Sequence, residues 1–104
     1  MKNLNFLKPV RNSRMCLNEV YFWTVTIKDW KHLLKPDKYK KLIINELLKL
    51  VERKLIKVYA FVIMPNHIHL VWEMLQLNGK EMPNASFNKS TSHEILKDLK
   101  KESS

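Results

Sequence analysis

The residues best suited to chemistry are His67 and His69, which stand two positions apart after the dipeptide Pro65-Asn66. The stretches on both sides of this dipeptide are apolar and rich in β-branched and aromatic residues, a composition typical of two strands joined by a tight turn. Side chains alternate along a strand, so both imidazoles are predicted to leave one face of a sheet, with Cα atoms roughly 6.5–7 Å apart. One divalent metal ion could then contact both.

Two imidazoles alone make a weak metal motif, and a surface or core histidine pair that binds nothing is the alternative interpretation. A tight site needs a third ligand from elsewhere. Neutral imidazoles combined with a carboxylate or an amide suit Mg²⁺, Mn²⁺ or a similar ion that retains water or substrate oxygens. Such an ion polarises a phosphate and stabilises the charge that develops in a displacement. The pattern therefore predicts a divalent-metal site.

The first half of the chain predicts a strand followed by a helix. Residues 20–27 are β-branched and aromatic almost throughout, which indicates a central strand covered on at least one face. Pro36 and Asp37 suit the first turn of a helix, and apolar residues then recur at helical spacing until about Lys54. This apolar stripe is expected to form ordinary core.

The second half predicts a hairpin and another helix. The hairpin strands are residues 57–64 and 67–74, and the helix is expected over about residues 85–101. Thr91 and Glu94 fit the first and last positions of a capping box, which would place a firm helix start late in that range. The order strand, helix, strand, strand, helix predicts an α+β domain.

Composition narrows the class of partner. The formal net charge is +9 over 104 residues, which suits a polyanion, nucleic acid first, although a lysine-rich soluble surface explains it equally well. The longest apolar run is too short to span a bilayer, so no membrane partner is expected. The single cysteine, Cys16, allows no internal disulfide, and a cytoplasmic setting is the default expectation.

Residues 1–18 are polar and basic and predict a flexible lead-in to a single domain that spans residues 19–104. Basic side chains in this lead-in and beside one tryptophan are the candidates for contacts to phosphates, and that tryptophan is the candidate for base stacking. The predicted DNA-binding residues are Arg11, Arg14, Lys28, Trp30 and Lys31.

Residues 59–70, with the sequence Tyr-Ala-Phe-Val-Ile-Met-Pro-Asn-His-Ile-His-Leu, resemble the signature of the IS200-like and REP-associated tyrosine transposases. These proteins are single-strand DNA nucleases with a His-hydrophobe-His motif, and the likeness extends over about residues 20–101. The resemblance implies a ferredoxin-like domain, usually dimeric, in which two histidines hold a divalent metal. It further implies a helical tyrosine that attacks a DNA phosphate and forms a 5′-phosphotyrosine intermediate.

The sequence departs from the family pattern after the hairpin. Its tyrosines are Tyr21, Tyr39 and Tyr59, and none follows the histidine pair. By the resemblance, the nucleophile's position falls on Glu94 and a third metal ligand falls on Asp98. The family's final strand would lie beyond the last residue, which predicts a truncated domain with an unpaired sheet edge.

Two functions stay open on this basis. The first is a transposase-family protein that binds single-stranded or hairpin DNA and carries a metal site for strand cleavage and transfer in DNA transposition. The second is a non-catalytic DNA-binding remnant or module of the same fold. A hydrolytic route, with water in place of tyrosine and Glu94 as the base, would be a variant of the first.

Overall fold

The computed structural model describes residues 7–9, 15–27 and 33–103. Helices and strands are combined in one α+β arrangement, as the sequence predicts. The elements in chain order are β1 (Leu7–Pro9), β2 (Val20–Ile27), α1 (Asp37–Glu52), β3 (Ile56–Met64), β4 (His67–Met74) and α2 (Pro83–Ser103).

Three long antiparallel strands form the sheet, in the order β2, β4, β3, and the short strand β1 pairs with the outer side of β2. The register pairs Thr24 with His69 across β2 and β4, and Val62 with His69 across β3 and β4. Strand β4 is therefore central, and the histidine pair lies in the middle of the sheet's width.

Both helices cover the same face of the sheet, because alternate residues of the strands present an apolar surface to them. Trp23 and Trp72 lie with ring centroids 4.8 Å apart, and Phe87 of α2 meets Trp72 edge-on at 5.7 Å. From α1, Ile43 and Leu47 join this core and are buried. Burial of such side chains stabilises each by about 1.5–3 kcal/mol relative to exposure.

No described helix covers the other face of the sheet, which we call the open face. Alternation along the strands assigns its members, since their immediate neighbours on β2 and β4 point into the core. The open face is formed by Val20, Phe22, Thr24, Thr26, Lys57, Tyr59, Ala60, Val62, Met64, His67, His69, Val71 and Glu73.

The sequence predicted the bounds of α1 and of the hairpin within one or two residues. The capping box at Thr91 was wrong: α2 is continuous from Pro83, and Thr91 and Ser92 are fully buried well inside it. Proline suits a first helical turn because its missing N–H would have no partner there. The capping-box prediction was wrong because packing against the core, and not a local side-chain hydrogen bond, fixes where this helix begins.

Strand β1 lies within residues 1–18, the predicted lead-in. Three residues are too few to show the period-two pattern of a strand, and Pro9 cannot donate a backbone hydrogen bond. The remaining residues of that stretch, 1–6 and 10–14, lie outside the described residues. Among the helices that the structure describes, neither combines the length and apolarity needed to cross a bilayer.

Candidate functional site

The turn between β3 and β4 holds the start of β4 in place. The carbonyl of Asn66 accepts a hydrogen bond from the backbone N–H of Ile27 at 2.9 Å, and the carbonyl of Pro65 accepts one from Leu34 at 2.9 Å. The turn is thus tied both to the end of β2 and to the segment before α1. Because backbone hydrogen bonds hold the turn from two sides, the position of His67, the first residue of β4, is fixed as well.

His67 and His69 leave this strand on the open face, whereas Ile68 between them is fully buried in the core. Their ring centroids are 4.7 Å apart and the ring planes are inclined by 82°. His67 is half-buried and His69 is exposed. The two imidazoles are therefore neighbours, and solvent or a ligand can reach them.

Each imidazole is oriented by a different partner through the same ring nitrogen. Nδ1 of His67 lies 2.7 Å from Oδ1 of Asn66, and Nδ1 of His69 lies 2.9 Å from Oγ1 of Thr24. An amide oxygen can only accept a hydrogen bond, so His67 carries its proton on Nδ1. A threonine hydroxyl can accept in the same way, which allows the same tautomer at His69.

These contacts leave Nε2 of both rings without a hydrogen bond to any described residue. In the tautomer with the proton on Nδ1, Nε2 carries the lone pair that a metal binds. An imidazole that donates its other N–H to an oxygen is the usual arrangement of a metal-bound histidine, because the contact fixes the tautomer and the ring orientation. Two imidazoles with this kind of outer contact are of the donor type that divalent metals accept. Among the residues that the structure describes, no group of three or more His, Cys, Asp or Glu side chains completes a site.

The structure does not bring the two helical candidates to the histidine pair. Asp98 lies between the helices, where its Oδ2 accepts a hydrogen bond from the hydroxyl of Tyr39 at 2.8 Å and pairs with Lys38 Nζ at 2.9 Å. Glu94 lies on the same helix and pairs with Lys97. Both belong to the helical layer, so the sheet stands between them and the open face within one copy of the chain.

The pKa values of the three tyrosines are raised, whereas a tyrosine that attacks a phosphate is favoured by a lowered pKa. Burial, followed by the hydrogen bond to Asp98, raises the pKa of Tyr39 to about 12, and its side chain is enclosed in the core. The hydrogen bond that Tyr59 donates to Glu73 raises the pKa of Tyr59. For Tyr21, the Cys16 backbone N–H lowers the pKa, but desolvation and the Cys16 side chain outweigh it, and the net shift is upward.

The predicted DNA contacts Arg11, Arg14, Lys28, Trp30 and Lys31 all lie outside the described residues. Thr24, the partner of His69, is not among the site residues predicted from the sequence. A signal existed, because Thr24 and Thr26 are hydroxyl residues that share one face of an otherwise apolar strand. What the sequence could not provide was the register that sets Thr24 directly beside His69.

No family model matches this chain, and neither a curated protein nor a solved structure matches it.

Proposed function

We propose that this chain is a protein of the IS200-like and REP-associated tyrosine transposase type that binds single-stranded or hairpin DNA and holds a divalent metal at His67 and His69. The observation that carries the proposal is the pair of adjacent imidazoles on the open face, each held through Nδ1 with Nε2 left available. The net charge of +9 supports a polyanionic ligand.

The arrangement of the elements supports a ferredoxin-like domain within this proposal. That fold has the order β-α-β-β-α-β, and its first five elements correspond to β2, α1, β3, β4 and α2. In that fold the third strand lies between the first and the second and runs antiparallel to both, as β4 lies between β2 and β3. The place of a sixth element would be the outer side of β2, where Leu7–Pro9 pairs.

His67 and His69 would hold the metal, and oxygens of water or of a phosphate would fill its other positions. Mg²⁺ and Mn²⁺ accept such mixed sets of ligands. When bound, the metal would polarise a phosphate of the DNA backbone and stabilise charge there. Asn66 and Thr24 would orient the imidazoles, and a dimer, which the family resemblance implies, would present this face twice.

Binding without tyrosine-dependent cleavage is the form of this function that the residues support best. The raised pKa values of Tyr21, Tyr39 and Tyr59 disfavour the phenolate that an attack requires. Glu94 and Asp98 stay in the helical layer of their own copy. The second candidate, a DNA-binding module without chemistry, therefore shares every feature of the first except cutting.

Labelled hairpin DNA incubated with the protein and Mn²⁺ tests this function. We expect binding, Mn²⁺-dependent strengthening of binding, and no denaturation-resistant protein–DNA adduct. His67→Ala and His69→Ala are expected to remove the Mn²⁺ effect, whereas the control His93→Ala, an exposed position on α2, is expected to keep it.

Each result separates the alternatives. An adduct would contradict the assignment of the tyrosines, and cutting without an adduct would indicate a water-dependent route. Absence of DNA binding at low salt would refute the proposed function. Binding that no histidine substitution alters, with no cutting, would favour a module whose histidines hold no metal.

A further inference from the structure

One aromatic side chain on the open face has no partner among the described residues that explains its position. Phe22 is 87% exposed, although it lies within β2 between the half-buried Tyr21 and the buried Trp23. It is the most exposed of the large hydrophobic side chains in the part of the chain that the structure describes. An exposed aromatic ring on an otherwise ordered sheet indicates a binding surface, because its burial is still available to a ligand.

Phe22 borders a shallow depression on the open face with a volume of about 120 Å³. The side chains that line its open-face side are those of Phe22, Thr24, Ala60, Val62, His69 and Val71. Phe22 pairs with Val71, two residues along β4 from His69, so Phe22 and His69 are diagonal neighbours at roughly 7–8 Å. An apolar depression bordered by an aromatic ring thus lies beside His69, one of the candidate metal ligands.

We propose that Phe22 and this depression bind an unpaired base of single-stranded DNA, next to the phosphate that a metal at His67 and His69 would contact. The inference rests on the proposed function and names how the strand is held. A base stacks on an aromatic ring through its flat face, and such stacking tolerates any base. In a duplex the flat face of each base is already stacked on neighbouring base pairs. The depression beside Phe22 therefore selects unpaired DNA.

Charge and size favour a base over other occupants of this face. A second copy would bring another net charge of +9 against the first, whereas a DNA strand brings negative charge. A volume of about 120 Å³ suits one flat ring system better than the long apolar stripe of a helix. Apolar side chains beside His69 and the hydroxyl of Thr24 match a ligand that has a flat apolar face and polar edges.

The test compares the full chain with Phe22→Ala and Phe22→Trp on a single-stranded oligonucleotide that carries one fluorescent base analogue. Phe22→Ala is expected to weaken binding about 10-fold and to abolish the quenching of the analogue, while Phe22→Trp retains both. Leu48→Ala is the matched control, because Leu48 is an exposed apolar residue of α1 in the helical layer. It is expected to change neither quantity.

A second readout removes the base itself. An abasic nucleotide at the position that stacks on Phe22 is expected to weaken binding by the native chain. The affinity of Phe22→Ala is expected to be the same for the abasic and the intact oligonucleotide. Since Phe22 is almost fully exposed, Phe22→Ala should keep the native melting temperature, and Mn²⁺ binding without DNA should stay unchanged.

Three results would overturn the inference. Equal affinity of Phe22→Ala and the native chain for the same oligonucleotide would refute base stacking while the proposed DNA binding stands. Loss of a dimer on Phe22→Ala, seen by light scattering without DNA, would assign the open face to a second copy. Failure of the native chain to bind any DNA would remove this inference together with the proposed function.

Discussion

At the scale of single residues, the orientation of the histidine pair depends on two contacts of different origin. Asn66 precedes His67 in the chain, so its contact is local, whereas Thr24 reaches His69 from another strand. The first is fixed by the turn, and the second exists only if β2 and β4 pair in this register. The orientation of His67 therefore depends on local structure and that of His69 on tertiary structure. The contact of Thr24 with His69 can be tested separately.

Thr24→Val is expected to weaken the proposed Mn²⁺ binding by about 10-fold, because loss of an outer partner releases the orientation of the imidazole that we propose as a ligand. Thr26→Val is the control, since Thr26 shares the strand and the face but pairs with His67 and makes no hydrogen bond to its ring. Isothermal titration with Mn²⁺ measures both. Equal affinities for the two variants would show that Thr24 does not position His69.

Tyr39→Phe is expected to lower the free energy of unfolding by about 1 kcal/mol, because it removes a hydroxyl that links α1 to α2 through Asp98. Tyr59→Phe removes a hydroxyl bonded to Glu73 on the open face and is expected to change stability by less than about 0.5 kcal/mol. Urea unfolding measures the two. A larger loss for Tyr59→Phe would contradict the assignment of Tyr39 to the core.

Two carboxylates make stability depend on acid pH. The Lys38 hydrogen bond, with a second from Tyr39, lowers the pKa of Asp98, and the Lys89 hydrogen bond, with one from Ser86, lowers that of Glu81. A carboxyl whose folded pKa is depressed contributes stability above its unfolded pKa and loses it as the pH falls through the folded value. The melting temperature should therefore decrease as the pH is lowered from about 4.

Asp98→Asn combined with Glu81→Gln is the test of this pH dependence. The double variant is expected to be less stable at neutral pH and to show a flatter decline of melting temperature in acid. An identical acid decline for the variant and the native chain would assign the dependence to other carboxylates.

At the scale of elements, α1 ends in a defined cap. The N–H of Leu55 bonds the carbonyl of Leu50 at 3.0 Å and that of Lys54 bonds Val51 at 2.9 Å, the two bonds of a Schellman motif. Its C′ residue, Lys54, has φ of 60°, a left-handed conformation that disfavours a side chain. The motif turns the chain from the helix directly into β3.

Lys54→Gly is expected to raise the free energy of unfolding by up to about 1 kcal/mol, because glycine adopts this conformation without a Cβ clash. Lys41→Gly, at an exposed position inside α1, is the control and is expected to lower it by about 1 kcal/mol. Chemical denaturation of both variants gives the comparison. Destabilisation by Lys54→Gly would contradict the assigned cap.

At the scale of the whole molecule, the charge of +9 makes salt the simplest probe of the proposed ligand. The logarithm of the binding constant for single-stranded DNA should fall linearly with the logarithm of salt concentration, with a slope of about −0.7 per phosphate contacted. Fluorescence anisotropy between low and physiological salt measures the slope. A slope near zero would exclude a phosphate-dominated interface.

The sequence by itself determined the elements and their faces. The strand at Val20–Ile27, the helix opened at Pro36 and the hairpin around Asn66 were all predictable, because period-two and helical apolar patterns, proline and turn residues act within a few positions of the chain. For the same reason the shared face of His67 and His69 followed from their spacing of two.

Only the tertiary structure decided which distant residues meet. It placed Thr24 beside His69, set Glu94 and Asp98 in the helical layer away from the pair, and extended α2 back to Pro83. Strand register and helix docking arise from burial summed over the whole core, which includes Trp72, and no local pattern encodes that sum.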